Sequence, residues 1–162
     1  MAEPVSVANE FIKYIPVGIG TLVSVIISSL WVTFLHFREK KQDKLSELNQ
    51  ELNEILQISI QYPYLESKAY CDNWNHLDPN IHSDEKALRY YNFTTLVFNY
   101  LSKLSAHCKY DDECIQKNHI NMKSWIRLHK KAWENPLNDP NENIDSYDAK
   151  FVSLVNKCLG KN

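Results

Sequence analysis

Glycine is nearly absent: the chain has three in 162 residues. A glycine-rich phosphate loop or a Gly-x-Ser-x-Gly nucleophile elbow is thereby all but excluded, because both need the backbone freedom that glycine gives. A His-Glu-x-x-His zinc motif is missing as well. So is any excess of charge: 18 Lys and Arg against 20 Asp and Glu leave a formal net charge of −2, which argues against general nucleic-acid binding and against a DNA partner. Six prolines, with Leu, Lys, Asn, Glu and Ile abundant, favour helices over a turn-rich β fold. The four cysteines, Cys71, Cys108, Cys114 and Cys158, follow no tight disulfide framework.

What is present in quantity is one apolar run. Ile15 to Leu35 is 21 residues without Asp, Glu, Lys, Arg or His. As a helix it spans roughly 31 Å, the thickness of a bilayer's hydrocarbon core. Tyr14 stands at one end and Trp31, Phe34 and Phe37 at the other, where aromatic belts lie. A basic n-region is missing before the run, and no small-residue cleavage site precedes the charges, so an anchor is expected and not a cleaved signal. One Lys or Arg (Lys13) precedes the span, and four (Arg38, Lys40, Lys41, Lys44) follow within ten residues. That asymmetry predicts the N-terminus outside and the C-terminal side in the cytoplasm, where the cysteines are expected as reduced thiols.

Within the run, Thr21, Ser24 and Ser28 fall in one stripe, beside Gly20. Two readings stand: a small-residue face for helix packing, or the lining of a pore in a ring of identical helices. Both need partners, so a homo-oligomer is expected.

From Arg38 no Gly or Pro interrupts the chain before Pro63, so the helix is expected to run on as a stalk over 38–61. Leu45, Leu48, Leu52 and Ile55 recur at spacings of 3, 4 and 3, an a/d seam expected to hold copies of the chain together; the alternative is that the seam packs on its own domain. Residues 62–162 read as an antiparallel helical bundle. A short helix is expected over Leu65–Trp74, and Ser83 caps a central helix bearing Leu88, Tyr91, Phe93, Leu96, Val97, Phe98, Tyr100, Leu101 and Leu104. Cys114–Trp133 reads as helical with a kink near Asn121, and Asp145 or Ser146 caps a last helix closed by Gly160. The fold class is therefore all-α, with residues 1–37 as head and span, 38–61 as stalk and 62–162 as bundle.

Little chemistry shows. His107, Cys108, Cys114 and His119 match no common zinc spacing, and neither metal nor cofactor is expected. Scattered carboxylates single out no acid/base pair, so no catalytic residue is assigned and no enzyme is expected. More informative are Lys123, Arg127, Lys130 and Lys131. They fill one half of the helical wheel from Met122 on, and five basic residues and no acid lie between Cys114 and Trp133. This is a solvated face, or a contact for phosphates of RNA or for an acidic protein or lipid surface.

One N-terminal span (15–35), a polar helical stalk (38–60) and a helical bundle (about 62–160) together resemble the small membrane accessory protein of type VI-B CRISPR systems. The resemblance is one of architecture. The family's degenerate Arg…His pair, a relic of the HEPN ribonucleases, has no counterpart here: none of Arg38, Arg89 and Arg127 is followed by His at four to six residues' distance. What the resemblance implies is a bacterial inner-membrane protein of antiviral defence without a nuclease of its own. It would form a pore that depolarises the membrane and would partner an RNA-guided RNase or its RNA. The competing expectation is a bitopic adaptor or sensor whose helical domain binds a cytoplasmic protein while the span anchors it.

Overall fold

The computed structural model describes residues 7–75, 78, 83–118, 120–134 and 146–161, with side chains from residue 26 onward. Among them all regular structure is helical. Packing divides the chain into two compact units, Met1–Ser46 and Glu47–Asn162.

The first unit is carried by α1 (Val7–Gln61), which runs on into the second. It ends where Tyr62-Pro63 disfavours helical geometry, and a single 3-10 turn over Pro63–Glu66 follows. The turn stops at Ser67, whose extended backbone opens the six-residue α2 (Lys68–Asn73). The single helix expected over Leu65–Trp74 is therefore two pieces.

The second unit is built around α3 (Glu85–His107). Its cap is Asp84 and not the expected Ser83: the Asp84 Oδ1 accepts from the backbone N–H of Lys86 at 2.9 Å and of Ala87 at 3.3 Å. α3 buries Tyr90, Phe93, Val97, Tyr100, Leu101 and Leu104 almost completely, as its all-round apolar wheel predicts. Leu96 departs from that expectation and is 44 % exposed.

α3 ends in a Schellman turn. The N–H of Lys109 donates to Ala106 O at 3.0 Å and that of Tyr110 to Ser105 O at 2.8 Å. Lys109 and Tyr110 both take positive φ, 53° and 62°, with no glycine to ease the turn. Across it, Cys108 and Cys114 form a disulfide with their Cα atoms 5.5 Å apart. Two of the four cysteines are thus paired where reduced thiols are expected; the left-handed turn brings them together.

The expected helix Cys114–Trp133 is three helices: α4 (Asp112–Lys117), α5 (Met122–Leu128) and α6 (Lys130–Glu134). Asn121 does more than kink the chain. Its Oδ1 accepts from Ser124 N at 3.0 Å and starts a new helix. The chain breaks again at His129. α7 (Ala149–Leu159) is capped by Asp148, whose Oδ1 accepts from Lys150 N at 2.7 Å, in place of Asp145 or Ser146; Asp145 lies outside the described residues. Gly160 closes it in the left-handed region at φ 74°, as the sequence predicts. Phe151 and Val155 of α7 enter the core, where Trp133 meets Phe98 at 4.9 Å and Phe151 at 5.9 Å between ring centroids.

The last turns of α1 belong to this core. Leu48 is 1 % exposed, Ile55 is buried and Leu52 packs against them, while Lys103 pairs with Glu51 at 2.6 Å. Leu48, Leu52 and Ile55, expected to join copies of the chain, are instead used inside one chain. Leu45, in the first unit, is 37 % exposed. The reason is geometric: a two-heptad apolar stripe adjoining a bundle finds the bundle's own groove first.

Candidate functional site

Three places in the molecule carry chemistry beyond packing. The first is the apolar part of α1. Ile26, Ile27, Leu30, Trp31, Val32, Phe34 and Phe37 are all more than half exposed, Leu30 at 65 % and Trp31 at 63 %. At 100° per residue six of these seven positions share an arc of about 140°, and Val32 stands on the opposite side among Ser28, Ser29, Thr33 and His36. Ser28 is exposed among them; Ser29 Oγ donates to Ile26 O and Thr33 Oγ1 to Ser29 O, each at 2.8 Å, which hides their hydroxyls in the helix's own backbone. Among the described residues no helix is long and apolar enough to cross a membrane. The side chains of residues 15–25, half of the apolar run and including Thr21 and Ser24, lie outside the described ones.

The second is a buried cluster at the break between α5 and α6. His129 is fully buried, and its ring lies 5.7 Å from those of both Tyr90 and Phe93. The Tyr90 hydroxyl and His129 Nδ1 share a hydrogen bond at 3.1 Å, and Cys71 Sγ stands 3.9 Å from the same nitrogen. Nε2 meets no hydrogen-bond partner among the described residues. Burial depresses the imidazole's pKa to about 4 and raises those of the Tyr90 hydroxyl and the Cys71 thiol. All three groups are thus held neutral, the reverse of what a nucleophile and its base require. Sequence alone could not find the partners of His129, which lie 39 and 58 residues away. Among the described residues no group of three or more His, Cys, Asp or Glu is placed to hold a metal.

The third is a groove of about 640 Å³ between α4, α5 and α7. Ile115 and Met122 are buried at its floor, Ile120, Leu154 and Cys158 are half-buried, and Asp112, Lys123 and Lys157 stand at its rim. Burial pushes the Cys158 thiol up and Asp112 adds to that, while Lys123, Arg127 and Lys157 pull it back. Of the four basic residues singled out by sequence, Lys123 lines this groove and Arg127 Nε donates to Cys158 O at 3.3 Å beside it. Lys131 turns elsewhere, donating to Trp74 O at 3.4 Å, and Lys130 is exposed. The break at His129 divides what would have been one basic face. Lys157 carried no sequence signal, being one lysine of a surface helix until α5 packs beside it.

In comparison with known proteins, no family model matches the chain, and no curated protein or solved structure is similar to it.

Proposed function

We propose that this protein is a bitopic membrane adaptor or sensor: α1 anchors it in a bilayer and the helical bundle binds in the cytoplasm, without enzymatic turnover. One observation carries the reading. Seven large apolar residues between Ile26 and Phe37 are more than half exposed, with no charged residue among them, and Arg38, Lys40, Lys41 and Lys44 follow at once. Such a surface in water is unfavourable at roughly 25 cal/mol per Å², and lipid or other helices must cover it. The basic residues after it support a bundle on the cytoplasmic side. The test is extraction of membranes with alkaline carbonate. The chain should stay in the pellet, and the variant Ile27→Lys with Leu30→Lys and Phe34→Lys should move to the supernatant. Release of the unaltered chain would end the proposal.

The resemblance noted above supports a second reading, a homo-oligomeric pore of a bacterial defence system lined by Thr21, Ser24 and Ser28. Its structural support is that Ser28 is exposed on the apolar part of α1. The use of Leu48 and Ile55 inside the bundle removes the stalk seam that would have joined such a ring. Mass in mild detergent separates the readings: a large closed ring with conductance in planar bilayers supports the pore, and a monomer or dimer without conductance supports the adaptor.

A further inference from the structure

The groove between α4, α5 and α7 has a composition that the anchoring of α1 does not explain. Its floor is apolar and its rim is cationic. Ile115 and Met122 are buried beneath it, and Leu154 extends the apolar wall into a neighbouring hollow of about 420 Å³, flanked by Ala149 and Lys150 of the same helix. Leu154 and Lys157 line both hollows, so the cleft has one wall on α7. Gln116 and Asn121 line it as well. Among the described residues its lining sets one acid, Asp112, against Lys123 and Lys157, and neither lysine makes an ion pair. Arg127 is already engaged with Cys158 O.

We propose that this cleft binds a single-chain amphipathic anion, its apolar tail lying on Ile115, Met122 and Leu154 and its carboxylate or phosphate head between Lys123 and Lys157. The volume suits such a ligand, since pockets for small molecules run to roughly 300–1,000 Å³ with an apolar lining and few polar groups. An ammonium donates strongly to carboxylate and phosphate oxygens alike, and two of them near one point repel until an anion lies between them. A neutral amphiphile would fill the floor and leave the lysines uncompensated. A bare anion would meet the lysines and leave the floor wet. Only a molecule with both parts satisfies the whole cleft. Its sources are a free fatty acid or a lysophospholipid, which differ in the head. The site is independent of the membrane reading, because its residues all lie in the second unit.

The chain supplies its own probe, for Met122 lines the cleft, and its resonance is told from that of the one other methionine, Met1, by its loss in a Met122→Leu spectrum. The full chain, labelled with ¹³C-methyl methionine and held in phosphatidylcholine nanodiscs, is titrated with octanoate, octyl phosphate, octanol and inorganic phosphate. Octanoate or octyl phosphate should shift the Met122 methyl resonance saturably, and octanol and inorganic phosphate should not. A stronger response to octanoate points to a fatty acid, and a stronger response to octyl phosphate to a lysophospholipid. Lys123→Gln with Lys157→Gln, both at exposed positions, should weaken binding about tenfold or more, as loss of a charge-assisted hydrogen bond does. The proposal is overturned by an unmoved Met122 resonance, by an equal response to octanol, by a response to inorganic phosphate alone, or by unchanged affinity in the double variant.

Discussion

His129 shows how one residue can set the pH range of the fold. Its imidazole is buried and neutral, with a folded-state pKa of about 4 against an ordinary value of 6.5. Below 6.5 the unfolded chain takes up a proton that the folded chain refuses. Stability is therefore whole above that pH and is lost as pH falls toward 4, by about 3 kcal/mol if the shift is realised in full. Denaturant titrations at pH 7, 5.5 and 4 should show this decline, and His129→Phe should flatten it while losing the hydrogen bond shared with Tyr90. An equal pH dependence in that variant would mean that the carboxylates dominate. Lys109 is the second such residue. At φ 53° it holds the turn after α3 in a conformation that costs a side-chain-bearing residue about 1 kcal/mol. Lys109→Gly should raise the unfolding midpoint, and a fall would show that its side chain contributes more than its backbone costs.

At the scale of elements, the junction of α3 and α4 and the last turns of α1 decide most. The Cys108–Cys114 bridge closes a short loop, with a sequence separation of 6, and so removes limited freedom from the unfolded chain. Its loss through Cys108→Ser with Cys114→Ser should cost about 2 kcal/mol. A reducing agent should lower the stability of the unaltered chain by the same amount and leave the double variant unmoved. For α1, Leu48→Ala should cost roughly 2–5 kcal/mol as a core truncation, read by urea denaturation, with no change in the mass of the particle in detergent. A lowered mass with unchanged stability would return Leu48 to the role of an oligomer contact.

For the molecule as a whole, the disulfide and the charge asymmetry make opposing statements about compartment. On the proposed topology, the four basic residues after the apolar run put the bundle in the cytoplasm, where thiols are kept reduced and a disulfide is as a rule transient. The two agree if the bridge is open in the resting cell and closes on oxidation. Acid-quenched cells treated with a polyethylene-glycol maleimide after denaturation should then show four additions per chain, from Cys71, Cys108, Cys114 and Cys158. Two additions, from the free Cys71 and Cys158 alone, would place the bundle in an oxidising compartment and reverse the topology.

By itself the sequence determined what depends on local pattern. Apolar period and scarce glycine made the chain helical, Tyr62-Pro63 ended α1, Gly160 closed α7, and the apolar wheel of α3 marked the centre of the core. These are short-range effects, since a residue's neighbours at three and four positions decide them. Tertiary structure alone decided which of two equal local choices prevailed. Ser83 and Asp84 cap equally well in isolation, and only the packed start of α3 selects Asp84. An a/d stripe reads alike whether it meets a second copy or its own bundle, and the packing gave Leu48 and Ile55 to the bundle. The helix expected through Trp133 broke at His129, which packs against Tyr90 and Phe93. Lys123 and Lys157 became one rim only because α5 and α7 lie side by side. Contacts between residues dozens of positions apart leave no periodic trace in one chain, so the partners of His129 and the cleft along α7 exist only in the folded molecule.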